Sequence, residues 1–473
     1  MNVVALIASQ ALALVLGASV VARMIPRGPG ALPAIAGYGY LLGLLLMTFI
    51  LRLLSLVGVA WNFTLPALIA LLCTAGLVAF NRHWPNTVAP GARTRSAVSL
   101  RVTFWLIALL LTTHIGLVAY EAIVRPLFPW DAAAQWATKA RTWYVFRHMV
   151  PFVDDVTWLR SSGDVFTDAH PTYPATVPLL QTWAALAWGS WDDAIVNISW
   201  PLSLAALALA VYGQLRRLGF APTAAIATAY GIASLPFVDA HAALAGYADL
   251  AVAAFYGLAL LALAKWIRDR NHGDAILLLS SAIALPLLKA PGWAWVATLM
   301  AGIGWAVLPA RVSRLLAIAA GVLATGGLLY VAVRGPLSVL GYTLSFQAAP
   351  VARPLFDNLF VFANWHLLWI IFLLLLLAER HRLFAREIGP LTAAVAAGLV
   401  FLIIVFFFSS TAEEGVEAYT TINRALLHLV PALVVYAAVL ARDLWLSSAA
   451  VPVRDDTAAG MDDSDRVAFA HTT

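Results

Sequence analysis

Leu368-Trp-Ile-Ile-Phe-Leu-Leu-Leu-Leu-Leu-Ala378 is apolar around its whole circumference. A surface helix of a soluble protein keeps a polar face toward water, so such a run belongs inside a bilayer or deep in a core. Leu41 to Ile50 and Ala251 to Ala264 repeat the pattern, and comparable runs recur from end to end. Many extend to the ~20 residues needed to span a membrane. Hydrophobic residues make up 62% of the 473 positions and charged residues 11%, against roughly 45–50% and 25% in soluble domains. The chain reads as an all-α, polytopic transmembrane bundle.

Composition also narrows the function. The first apolar run has no basic residue ahead of it, and Arg23 and Arg27 follow it. That order is the reverse of a cleavable signal peptide, so the run is expected to be retained. Cys73 is the single cysteine, which leaves no disulfide or cysteine metal cluster within the chain. The net charge of +5 comes from basic residues scattered over short loops, with no stripe interleaved with aromatics. Nucleic-acid binding is not expected. No internal repeat, Walker motif or GxGxxG is present.

Apolar runs predict about 13 spans: 3–24, 34–56, 58–80, 100–123, 191–214, 221–238, 247–267, 274–289, 291–309, 314–333, 360–378, 388–408 and 422–445. With the N-terminus outside, alternation puts 19 of the 29 Lys and Arg residues inside. They include Arg82, Arg93, Arg95, Arg216, Arg217, Arg268, Arg270, Arg311, Arg314, Arg380, Arg382 and Arg386, as positive-inside topology requires. Counting Pro174 to Trp188 as a span would invert every later loop, so that segment is expected to be an interfacial or re-entrant helix. Residues 124–173 then form the main outer loop, with smaller outer segments at 239–246, 334–359 and 409–421. Residues 1–99 read as a three-span extension, 100–446 as the core, and 447–473, rich in aspartate, as a disordered cytoplasmic tail.

The outer loop opens with Phe128-Pro-Trp-Asp-Ala-Ala-Ala-Gln-Trp-Ala-Thr-Lys-Ala-Arg141. Helical spacing groups Asp131, Gln135 and Lys139 within about 80° of arc and puts Trp136, Ala140, Trp143 and Tyr144 on another face. An amphipathic helix on the membrane surface is expected. On spacing alone, Asp131 suits a helix cap as well as a chemical role, and Lys139 and Arg141 suit contacts with lipid phosphates.

Five elements, in order, carry a resemblance: the Trp-Asp-x4-Trp-x2-Lys-Ala-Arg run, His170-Pro-Thr-Tyr-Pro174 with Pro178-Leu-Leu, Gly246-Tyr-Ala-Asp-Leu250, Lys289-x2-Gly292, and Thr421-Ile-Asn-Arg-Ala-Leu-Leu-His-Leu-Val-Pro431. Together they look like bacterial membrane glycosyltransferases of the C-type fold, similar to protein O-mannosyltransferases and the aminoarabinose transferase of lipid A. The resemblance covers roughly residues 100–440. It implies inverting transfer of a monosaccharide from a polyprenyl-phosphate donor to an envelope glycan, lipid or protein acceptor, on the outer face of the bacterial cytoplasmic membrane.

Matched residue by residue, the resemblance makes Asp131 the general base that takes the acceptor hydroxyl's proton. Asp249 becomes a second acid that binds acceptor or orients the site. Lys289, bracketed by Pro286 and Pro291, and Arg424, basic on the outer side, are candidates for the leaving phosphate, with His428 one turn beyond Arg424. Lys139, Arg141, His170 and Tyr173 are candidates for binding sugar or acceptor. Plainer accounts stand beside these: a span-end cap for Asp249, a snorkelling lysine for Lys289, interfacial anchoring for Arg424 and a simple turn for His170 and Tyr173. Pro291 stands where the pattern often has an acid. No cofactor or metal is expected, since Glu413, Glu414 and Glu417 suit a solvated loop better than a divalent ion.

Two other functions fit less well. A secondary transporter calls for mid-span charges and a repeat, and an envelope scaffold needs no ordered acids and bases. A polysaccharide polymerase or ligase using a diphosphate-linked glycan remains the enzymatic alternative.

Overall fold

The structure, a computed structural model, describes residues 2–80, 98–339, 342–346, 349–409 and 421–449. Three helices open the chain: α1 (Asn2–Val21), α2 (Ala31–Leu56) and α3 (Thr64–Phe80). After α4 (Val98–Val124) come a π-helical turn (Ala132–Ala137), α5 (Thr138–Phe146), α6 (Asp155–Arg160) and α7 (Thr176–Trp188). The bundle continues through α8 (Ser199–Arg217), α9 (Pro222–Ala233), α10 (Pro236–Ala243), α11 (Asp249–Asp269), α12 (His272–Leu288), α13 (Gly292–Val307) and α14 (Ala310–Arg334). A small antiparallel pair, β1 (Leu337–Val339) and β2 (Tyr342–Leu344), precedes α15 (Ala349–Phe356), α16 (Leu368–Ala378), α17 (Gly389–Phe408) and α18 (Thr421–Ala449).

Eight helices among the described residues are long and apolar enough to cross a membrane, and the α9–α10 pair, bent by 64°, would make a ninth. Four more apolar helices, α3, α12, α13 and α16, are shorter. Large apolar side chains such as Trp105, Leu109, Leu110, Leu315, Ile318 and Leu323 are exposed along α4 and α14. Apolar surface of that extent is tolerable only against lipid, so this is a multi-pass membrane protein.

At the centre stands α11, whose Leu258, Leu260, Leu261 and Leu263 are all fully buried, leaving no outward face. It packs against α8, α12 and α18. Helices in lipid gain little from hydrophobic burial and rely on close packing, which small residues permit. A Cβ on Gly43 of α2 would stand 1.7 Å from Ala13 O of α1, so those two backbones are in direct contact. Tyr38 Oη on α2 donates to Leu258 O of α11 at 2.8 Å. Of the three N-terminal helices, α1 and α2 are built into the bundle, and α3 packs on both.

Several boundaries differ from the sequence reading. The span expected at 221–238 breaks after Ala233, because Pro236 has no N–H to continue the ladder. His114 Nε2 reaches Ala233 O at 3.1 Å and His366 Nε2 reaches Ser234 O at 2.9 Å, so ring N–H groups meet the carbonyls the break exposes. The span expected from 360 begins only at Leu368, since Ala363 and His366 adopt positive φ of 53° and 48° and interrupt the helix. The segment expected as an interfacial or re-entrant helix, α7, is 13 residues long and buried among protein on nearly every face, packing on α1, α2 and α5, which leaves no face for a surface position. Arg82, Arg93, Arg95, Glu413, Glu414, Glu417 and tail residues 450–473 lie outside the described residues; α18 itself continues to Ala449.

Candidate active site

Four segments bring charge to one end of the bundle. Asp131 immediately precedes the π-helical turn, Asp249 opens α11, Lys289 follows α12, and Arg424 and His428 lie in the first two turns of α18. Lys289 has extended backbone (φ −155°, ψ 146°) between α12 and α13, and Pro291, two residues on, has no N–H with which to continue α12. Gly246 has φ +83°, and a Cβ there would come within 2.7 Å of Ala132 Cβ. Only glycine lets the turn carrying Tyr247 and Asp249 lie against the start of the Asp131 segment.

Asp249 is the hub. Its side chain is fully buried; Oδ1 accepts from Lys289 Nζ at 2.6 Å and His428 Nε2 at 2.8 Å, and Oδ2 accepts from Arg424 Nε at 3.2 Å and Nη2 at 3.1 Å. A carboxylate has about four acceptor sites, so Asp249 is saturated and has no lone pair left for an incoming proton. Trp295 Nε1 donates to His428 Nδ1 at 3.1 Å, which places the ring proton on Nε2. His428 is thereby a fixed donor to Asp249.

Asp131 is placed differently. Its Oδ2 takes Arg424 Nη1 at 2.5 Å, its Oδ1 has no protein partner among the described residues, and its side chain is 32% exposed. Arg424 lies over the Tyr247 ring at 4.5 Å, and Tyr247 O accepts from Trp200 Nε1 at 2.7 Å. Burial raises the Tyr247 hydroxyl's pKa, with Asp131 and Asp249 adding to the effect and Arg424 opposing it. His241, buried and 5.2 Å from the Tyr247 ring between centroids, completes this wall. With a neutral His428, two carboxylates and two cations balance, so an added anion must compete with a carboxylate for Arg424.

Lys139, His170 and Tyr173 form a second group. Lys139 Nζ donates to His170 O at 2.7 Å and pairs with Asp168 Oδ2 at 3.1 Å, both side chains buried. Burial lowers the Lys139 pKa, and Asp168 opposes that shift. The His170 ring stacks on Tyr173 at 4.7 Å, and Tyr173 meets Trp136 at 5.5 Å. Lys139 is eight positions beyond Asp131, on the order of 10 Å along the helix axis, and its ion pair is made within the loop. Arg141 is exposed. The helix expected on the membrane surface is instead sunk into protein: Gln135 and Lys139 are as buried as Trp136 and Trp143.

Sequence reasoning did not single out Trp295, Trp200, His241 or Asp168. Asp168 had a signal, since a lysine in a tight loop needs a counter-ion and acids flank the loop; Trp295 had none, because its neighbour is 133 positions away. Among the described residues no three His, Cys, Asp or Glu side chains gather as metal ligands. No protein-family model, curated protein or solved structure matches this chain.

Proposed function

We propose that the chain is a membrane glycosyltransferase of the C-type fold with about 13 spans, some made by the shorter helices, that transfers a monosaccharide from a polyprenyl phosphate. One observation carries this reading: Asp131, Asp249, Lys289, Arg424 and His428 meet at one end of the bundle, with a half-open carboxylate beside a pinned guanidinium. Inverting transfer needs a base at the acceptor and a fixed cation at the departing phosphate. Asp131 Oδ1 accepts the acceptor hydroxyl's proton as that oxygen attacks the anomeric carbon. The bond from the anomeric carbon to the phosphate oxygen breaks, and Arg424 holds the developing phosphate charge. Lys289 and His428 act through Asp249, which fixes Arg424. The sugar-bearing face is the outer one, so nucleotide sugars are excluded as donors.

The test is transfer by the purified protein from undecaprenyl-phosphate monosaccharides to envelope extracts, beside a nucleotide sugar with no lipid carrier. Mass spectrometry of the lipid that purifies with the protein names the donor. A secondary transporter is the second reading, favoured by the 64° break between α9 and α10. Solute uptake into proteoliposomes without any glycosyl transfer would support it.

A further inference from the structure

Asp249 opens α11 and Arg270 follows its last residue. The helix's 21 residues span about 30 Å, the thickness of a bilayer's hydrocarbon layer. At the end away from the acid–base cluster, Arg270, Arg314 and Arg386 line one pocket of about 780 Å³ with Trp305, Pro309 and Phe384. No carboxylate lines it. Arg270 is held in place: Nη2 donates to Ala306 O at 2.9 Å and its guanidinium lies 4.7 Å from the Trp266 ring. Arg314 and Arg386 make no ion pair among the described residues.

Trp305, Leu308 and Phe384 also border a second cavity of about 670 Å³ between α13, α14 and α17. Ala301, Gly304, Ala320, Gly321, Ala393 and Ala397 face it. Small residues of this kind normally let helices close on one another. Here a Cβ on Gly304 or Gly321 would meet nothing within 4 Å. None of Asp131, Asp249, Lys289, Arg424 and His428 lines either space.

We infer that the two spaces form one binding site for an anionic glycerophospholipid, with its phosphate on Arg270, Arg314 and Arg386 and its acyl chains between α13, α14 and α17. Three arginines without a carboxylate select an anion, and guanidinium grips phosphate oxygens bidentately. The adjoining apolar cavity selects an anion that carries hydrocarbon. Basic pockets between helices at a membrane face suit lipid headgroups on these grounds. This site stands across the membrane from the cluster and does not depend on the transferase reading.

Native mass spectrometry of the full chain in detergent, titrated with phosphatidylglycerol or phosphatidylcholine, tests it. One phosphatidylglycerol per chain should be retained in preference to phosphatidylcholine. The double variant Arg314→Gln/Arg386→Gln should weaken that binding about fivefold per arginine, the equivalent of about 1 kcal/mol for each charge near a membrane surface. Ala320→Trp, which fills the cavity and leaves the arginines, should remove the bound lipid, whereas Asp131→Asn should leave it in place. Equal retention of the two lipids, or unchanged binding in the arginine double variant, would overturn the assignment. So would one-for-one displacement of phosphatidylglycerol by undecaprenyl phosphate, which would give the cavity to a prenyl chain.

Discussion

Arg424 and Asp131, 293 positions apart in the chain, meet at 2.5 Å, while the same guanidinium holds Asp249 through Nε and Nη2. One arginine thus ties a half-open carboxylate to a buried one. A phosphate that binds Arg424 must displace Asp131, and that displacement takes from the carboxylate the guanidinium that stabilises its charge, so Asp131 becomes a stronger base. Donor binding should therefore precede acceptor activation.

Asp131→Asn removes the competing charge and leaves Arg424 on Asp249. Undecaprenyl phosphate should bind this variant at least as tightly as wild type, by up to roughly tenfold if one charge-assisted hydrogen bond no longer has to be broken. Arg424→Gln should weaken the same binding by a comparable factor. Titration of the lipid phosphate against both purified variants measures this, and weaker binding in Asp131→Asn would remove the competition.

The Lys289–Asp249 pair is buried on both sides, with side chains 11% and 0% exposed. Asp249→Asn strands the buried Lys289 charge and should cost about 3–5 kcal/mol, whereas Lys289→Met leaves Asp249 paired with Arg424 and should cost less. Lys289→Met/Asp249→Asn together should cost clearly less than the sum. Unfolding of the four proteins in one detergent closes the cycle, and strict additivity would mean that the two charges are not coupled.

Lys139 and Asp168 fasten the outer loop to its own helix. Lys139→Met leaves Asp168 with a buried, unpaired carboxylate, so the segment from Pro151 to Asp168 should be cut faster by protease. Lys139→Met/Asp168→Asn should restore part of the protection. If Lys139 instead served the chemistry directly, turnover would fall in Lys139→Met while the cutting rate stayed that of wild type.

The proposed outward placing of the cluster rests on the 19-to-10 division of basic residues over the expected spans, with the cluster and Arg270 at opposite ends of α11. Cysteines introduced at Asp155 and Ser162 should react with an impermeant thiol reagent applied outside, and one at Arg93 should not. The reverse pattern would move the cluster to the cytoplasmic face.

The helices were legible because apolar runs such as Ala251–Ala264 admit almost no other reading. The break at Pro236 was not, because apolar residues continue on both sides of it and periodicity does not register a missing N–H. The late start of α16 depends on two positive-φ residues, Ala363 and His366, neither of them glycine, so composition gave no warning. Asp131 and Asp249 were singled out by the family resemblance, and Lys289, Arg424 and His428 also by their places at the ends of apolar runs. That Lys289 and His428 spend their donors on Asp249, leaving Arg424 to face Asp131, is tertiary information. A helical wheel likewise put Lys139 beside Asp131, whereas burial of the loop gave it Asp168.

The single-turnover rate of Asp131→Asn with bound undecaprenyl-phosphate sugar tests the central claim most directly. Asparagine keeps the shape and hydrogen bonding of aspartate and caps a helix about as well, but it cannot take a proton. With Asp131 as the base, transfer should fall by roughly 10²–10⁴ while the donor stays bound. Near-normal turnover in that variant would contradict the account, since saturated Asp249 offers no second base.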